Sequence, residues 1–334
     1  MTRLTRVELR RIFSRKIVHL SVLAILAVSV LVFWGLWQTV MPLSAYEDQA
    51  RQQFEQMHAD WESQQEFQDE EFITQCLDEQ EAERQRTGDE TLDFGCVWEE
   101  PTLESVIGGY APPQMSELYS MNLREGATLV FILVLLGGST ATAAELAHRT
   151  LGTWLTFEPR RDRVFASKVL ASGVVAIPIT AVFLALLLVG IPLIYQIRGV
   201  EGSVTATQWA DLAWMGARIV VLAVFLGMVG AAAGLLMKHT GALLGIVVGY
   251  LLVVENLVRS LFPDWSKYLL SPNLMAWVND GHEMRNWVCE DSFTGECREV
   301  VTRISLEQGA LVVGIVGLVV ILASWLVFRR RDVN

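Results

Sequence analysis

The chain has 334 residues, 52% of them hydrophobic and only 19% charged, with a mean hydropathy of +0.37. Soluble domains carry about 25% charged residues, so an ordinary soluble enzyme is excluded. The formal charge of -11 leaves no net positive field to attract phosphates, which excludes a basic nucleic-acid binder and leaves no nucleic acid among the expected partners.

In chain order, residues 1–16 form a basic segment with Arg3, Arg6 and Arg10 on one side and Leu4, Leu9 and Ile12 on the other, although Arg11 and Arg15 fall off that pattern. This predicts an amphipathic helix at a membrane interface. A bilayer core needs about 20 apolar residues in helix, because lipid leaves unpaired backbone groups unsatisfied. Six stretches meet or approach that length: 17–40, 123–147, 169–197, 212–237, 241–258 and 309–328. The first is too long for the apolar core of a cleaved leader, typically about 7–15 residues, so an uncleaved span is expected. Pro178 and Pro192 predict a kink or tilt in the third. Glu255 and Asn256 interrupt the outer end of the fifth.

Orientation follows from where the basic residues lie. Fifteen of the 26 Lys and Arg residues fall in the N-terminal segment, between the second and third spans, at Lys238, and after the sixth span, accompanied by only five of the 37 acids. Both termini and these segments are therefore expected on the cytoplasmic side of the plasma membrane. The fold class read from this is an all-α polytopic membrane protein with six transmembrane helices.

Residues 41–122 are then extracytoplasmic and strongly acidic. Phe54, Met57, Trp61, Phe67, Phe72 and Leu77 recur at helical spacing among Glu and Gln, which predicts a small helical cap. Residues 259–308 form a second outer segment, with Trp265, Trp277 and Trp287 suited to the membrane–water boundary. All four cysteines, Cys76, Cys96, Cys289 and Cys297, lie in these two segments, where thiols oxidise. Of the three possible connectivities, proximity favours Cys76–Cys96 and Cys289–Cys297. Neither the cysteines nor the five histidines show metal-ligand spacing, so no metal site is expected.

No Gly-Lys pair is present, so no phosphate-binding P-loop is available for ATP hydrolysis in this chain. Gly137-Gly138-Ser139 resembles the nucleophile setting of an intramembrane serine protease, but no histidine sits at matching depth, and small residues in spans favour close helix packing. The same reading applies to Gly230-x-x-x-Gly234 and to Gly241-x-x-x-Gly245-x-x-x-Gly249, expected to bring the fourth and fifth helices together. Glu145, Arg218 and Glu255 lie near span ends, where water and headgroups would solvate them.

The segment from 148 to 168 reads as a short amphipathic helix that stops at Pro159, followed by the positive cluster Arg160, Arg161 and Arg163. Basic residues at a span end also attract anionic lipid. With Glu145, Gly152-Thr153, Leu155, Pro159, Arg161 and Lys168 in this order, the chain resembles the permease subunits of ABC-2-type transporters, in a version similar to actinobacterial members. The resemblance extends to the basic N-terminal helix, the six spans, the outer segment after the fifth span and the C-terminal Phe328-Arg329-Arg330-Arg331. It implies a non-catalytic membrane subunit that forms an export pathway as a homo- or heterodimer and couples to separate ATPase subunits, which bind ATP and Mg. The coupling element would comprise Arg149, Thr150, Gly152, Thr153, Leu155, Glu158, Pro159, Arg160, Arg161 and Arg163, with 1–16 as the connecting helix. The competing expectation is a membrane-anchored assembly or sensor protein whose outer cap binds a partner.

Overall fold

In the computed structural model, the described residues are 2–65, 70–89, 91–97, 100–108, 110–147, 156, 158–237, 239–289 and 297–330. The helices are α1 (Thr2–Phe13), α2 (Lys16–Thr39), α3 (Leu43–Gln65), α4 (Glu70–Thr87), α5 (Leu103–Gly108), α6 (Met115–Ala147), α7 (Arg161–Arg198), α8 (Ala206–Met237), α9 (Thr240–Gly249), α10 (Glu255–Leu261), α11 (Leu270–Asn279) and α12 (Leu306–Arg330). Six helical segments are long and apolar enough to cross a membrane: α2, α6, α7, α8, the run from Gly241 to Leu261, and α12. The chain is thus a multi-pass, predominantly helical membrane protein. It divides into one unit formed by Met1–Gly35, Gln114–Leu193 and Gly202–Asn334, and a second formed by Leu36–Pro113 and Ile194–Glu201.

Helix α8 is the core of the first unit, because its small residues let neighbours approach to backbone contact. A Cβ at Gly230 would overlap the Leu135 carbonyl of α6, and one at Gly234 would overlap Thr142 and the Ser139 carbonyl. Thr142 Oγ1 donates to the Ala231 carbonyl at 2.8 Å, and Ser324 Oγ of α12 donates to the Ala232 carbonyl at 2.6 Å. Without a hydrophobic driving force between helices in lipid, such close backbone packing supplies the association. Gly138 takes part through Gly227 and Ala231, and the Ser139 carbonyl lies against Gly234, so Gly138 and Ser139 serve α6–α8 packing while a Cβ at Gly137 would meet nothing within 4 Å among the described residues. The second glycine series behaves differently from expectation. Gly245 and Gly249 face open space, and Gly230 and Gly234 are used against α6 rather than against the fifth span.

Several helices outrun their apolar stretches. Helix α6 begins eight residues before the expected span start at 123, and α7 begins at Arg161, which places Lys168 inside a helix rather than at the end of a loop. Helix α7 also runs unbroken through Pro178 and Pro192. The fifth span contains a π-helical turn at Tyr250–Val254, where Asn256 Nδ2 donates to the Leu251 and Leu252 carbonyls at 3.1 and 3.0 Å. Glu255 is not solvated as its position at a span end suggests. It is buried, and its carboxylate accepts the Ser271 N–H at 2.8 Å while Tyr250 Oη accepts the Leu270 N–H at 2.9 Å. Span five thereby caps the first turn of α11, whose own preceding residue, Leu269, provides no side-chain cap.

Segment 259–308 also contains the only β-strands among the described residues, an antiparallel hairpin of β1 (His282–Cys289) and β2 (Cys297–Ile304). Asp280 and Gly281, both at positive φ, turn the chain from α11 into β1. The backbone register sets Cys289 opposite Cys297. The side chains of the expected Cys289–Cys297 pair lie outside the described residues.

In the second unit, the other expected pair is present as a Cys76–Cys96 disulfide. Cys76, Gln80 and Arg84 repeat every four residues along one face of α4 and together hold the returning segment 92–96. Gln80 Oε1 accepts the Phe94 N–H at 2.8 Å, and Arg84 Nε donates to the Leu92 carbonyl at 2.7 Å. Tyr46 of α3 stacks on Tyr110 at 4.2 Å, and Tyr110 Oη donates to the Met41 carbonyl.

Burial, followed by the charges of Arg124 and Arg259, holds the His282 imidazole below its ordinary 6.5. A depressed folded pKa means that the unfolded chain takes up the proton first as pH falls, so this contribution is present above about 6.5 and is lost below it. Hydrogen exchange across 282–304 should therefore accelerate, after correction for intrinsic rates, between pH 7.5 and 5.5. His282→Gln should remove that acceleration; an unchanged pH response in the variant would refute this origin.

Candidate functional site

Glu8, Arg11 and Arg15 are spaced three and four residues apart, so one side of α1 and the turn after it presents a carboxylate and two guanidinium groups together. That side faces Glu145, two residues before the end of α6, and Lys168, in the second turn of α7. Lys168 Nζ donates to Glu8 Oε1 at 2.9 Å and forms a second, very close ion pair with Glu145 Oε2. Arg15 Nη2 donates to Glu145 Oε1 at 2.8 Å and its Nη1 to the Thr140 carbonyl at 3.4 Å. Arg11 Nη1 lies 3.6 Å from Glu145 Oε1 and 3.9 Å from Glu8 Oε1.

Lys168 is 1% exposed, and Glu8 and Glu145 are 3% and 4% exposed. Two of these charges are poorly placed with respect to their own helices: Glu145 approaches the negative C-terminal end of α6, and Lys168 lies toward the positive N-terminal end of α7. The charges therefore depend on one another. Removing one member of a buried pair typically costs about 3–5 kcal/mol, because the remaining charge is left without water or partner. Glu145 is consequently not a solvated span-end carboxylate but the acceptor on which three cations converge.

Beside this network, Val164, Phe165 and Val169 of α7 pack with Ala231, Ala232 and Leu235 of α8 and Phe328 of α12. At the start of α7, Asp162 accepts the Trp325 indole N–H at 2.9 Å, the Arg329 guanidinium lies over the Trp325 ring, and Arg161 Nη1 donates to the Arg329 carbonyl at 3.1 Å. Pro159, Arg160, Arg161, Asp162, Arg163 and Arg329 line an open, positively charged concavity.

The segment joining α6 to α7 is thus tied at both ends. Of the expected coupling residues, Glu158, Pro159, Arg160, Arg161 and Arg163 are described, and Arg160 and Arg163 are exposed. Arg149, Thr150, Gly152, Thr153 and Leu155 lie outside the described residues. In the N-terminal helix, Arg6 and Arg10 are exposed and Ile12 is buried, but Val7 and Phe13 are also exposed and Glu8 is buried. The side chain of Arg3 lies outside the described residues. Glu8, Arg11 and Arg15 were the residues sequence reasoning passed over, and their three-and-four spacing was the available signal. Among the described residues no group of His, Cys, Asp and Glu is arranged to hold a metal ion.

Lys168→Met should destabilise the chain by about 3–5 kcal/mol in detergent unfolding experiments. Adding Glu8→Leu and Glu145→Leu should recover part of that loss, because all three buried charges are then removed together. Additive losses across the three positions would show that the groups do not form one network.

A family model described as "Protein of unknown function (DUF2705)" matches residues 106–334, a range that includes Glu145 and Lys168. No curated protein and no solved structure matches the chain.

Proposed function

The chain belongs to the DUF2705 family, and from that starting point we propose that it is the non-catalytic permease subunit of an ATP-driven exporter of the ABC-2 type. It forms the pathway as a dimer and couples to separate ATPase subunits that carry ATP and Mg. It resides in the plasma membrane with both termini cytoplasmic and the acidic, helical segment 41–113 outside, as the distribution of Lys and Arg favours.

The observation that carries this reading is the buried network of Glu8, Arg15, Glu145 and Lys168. An ATPase working from beneath must move helices through a surface element that does not slip relative to them. The segment 148–160 joins α6 to α7, and the network ties the bases of these two helices to α1. A push on that segment is therefore delivered to three helices at once. Exposed Arg160 and Arg163 add the positive charge with which such an element meets an acidic partner surface.

The test is affinity purification of the detergent-solubilised chain with mass spectrometry of its partners. A P-loop ATPase should copurify with the parent chain. Recovery should fall at least tenfold with Gly152→Trp, at an unchanged unfolding temperature. If no ATPase accompanies the folded parent, the exporter reading fails, and a role for the disulfide-tied outer segment in binding a partner becomes the better account.

A further inference from the structure

Glu125 of α6 is exposed beside Arg124. It lines a cavity of about 40 Å³ with Asn122 and Gly126 of α6, Ser29 and Val32 of α2, and Phe183 of α7. Ser29 is followed by roughly 15 Å of uncharged helix before α2 ends at Thr39, and Phe183 by roughly 22 Å before α7 ends at Arg198. On these two helices the cavity therefore lies well within the apolar run. Alongside them, α6 exposes Glu117, Met121, Arg124, Glu125 and Thr128, which share one helical face. Arg124 Nε is engaged with Asn279 Oδ1 at 3.1 Å. Glu125 has no ion-pair partner among the described residues. An ionisable side chain at such depth is expensive in lipid and marks a site that meets a counter-charge or water.

We propose that this cavity binds the primary ammonium head of a cationic amphiphile. Glu125 supplies the counter-charge. An ammonium has three N–H donors, and Ser29 and the Asn122 amide oxygen are the neutral acceptors beside the carboxylate. Asn122 is buried, with its amide N–H already given to the Leu118 carbonyl at 2.7 Å, which fixes its orientation. The ring of Phe183 lies directly against Gly126, where any Cβ would overlap it, and presents an aromatic wall to the cation. The volume suits a head group rather than a whole amphiphile. The hydrocarbon tail lies outside the cavity, along exposed Val28 of α2 and Leu188 of α7. As a substrate site this assignment rests on the exporter reading; as a binding site it does not.

The experiment uses the full chain, without any ATPase, in nanodiscs of zwitterionic phosphatidylcholine, with radiolabelled dodecylammonium as the probe. Saturable binding of one probe per chain is expected. It should weaken at least tenfold in Glu125→Gln, be restored in part by Glu125→Asp, and resist competition by dodecanol. Gly126→Ala, which displaces Phe183, should weaken binding with the carboxylate intact. Non-saturable partitioning that is equal in the parent and Glu125→Gln overturns the site. Equal affinity for dodecyltrimethylammonium, which has no N–H donors, overturns the assignment to a primary ammonium. Because no ATPase is present, failure here counts against this site alone, whereas failure of ATPase copurification counts against the exporter reading alone.

Discussion

The Lys168 ammonium is held between the carboxylates of Glu8 and Glu145, with all three groups removed from solvent. Neither carboxylate comes from the helix that carries the lysine, so burial of this charge requires α1, α6 and α7 to be in place together. Arg15 closes the arrangement from the turn between α1 and α2, where it reaches both Glu145 and the Thr140 carbonyl. An amphipathic N-terminal helix could otherwise slide along a membrane surface. Here it is fixed to the ends of two spans by these ion pairs. The network specifies position more than it adds net stability, because desolvating three charges offsets much of their mutual attraction.

The glycine face of α8 complements this constraint. Gly230 and Gly234 bring α6 to backbone contact, and Ser324 bonds α12 to the same helix. Phe165 and Phe328 pack against one another at the start of α7 and the end of α12. The base of α7 is therefore held by ion pairs toward α1 and α6 and by apolar packing toward α8 and α12. The end of α6 and the start of α7, which flank residues 148–160, are thus each tied to other helices.

The six spans were legible because apolar length alone defines them, and the pairing of Cys76 with Cys96 followed from their proximity within one acidic segment. Other features depend on three-dimensional coincidence that periodicity does not encode. Glu145 reads as a span-end acid until α1 folds across it, and Glu8 reads as an incidental acid in a basic tail. The hairpin at 282–304 was hidden because its strands, HEMRNWVC and CREVVTRI, lack a regular apolar–polar alternation and lie in a segment whose tryptophans suggest a membrane boundary. The glycine series in the fifth span illustrates the reverse problem. Its spacing matches a packing motif, yet a Cβ at Gly245 or Gly249 would meet nothing within 4 Å among the described residues, whereas Gly230 and Gly234, with the same spacing, are filled by α6. Spacing identifies a surface suited to close approach and leaves open which helix uses it. Glu125 escaped notice because α6 alone places it at the edge of an apolar run; the apolar stretches of α2 and α7 beside it reveal its depth.

The central claim is that the buried ion network locks α1 to the base of α7. The most direct measurement is the distance distribution between spin labels at positions 10 and 163, both exposed and outside the network, introduced through bioorthogonal side chains so that the native cysteines remain intact. A single narrow distribution in the parent chain that broadens markedly in Lys168→Met is the result this account predicts. A broad distribution in the parent, or a narrow one unaffected by loss of the lysine, would contradict it.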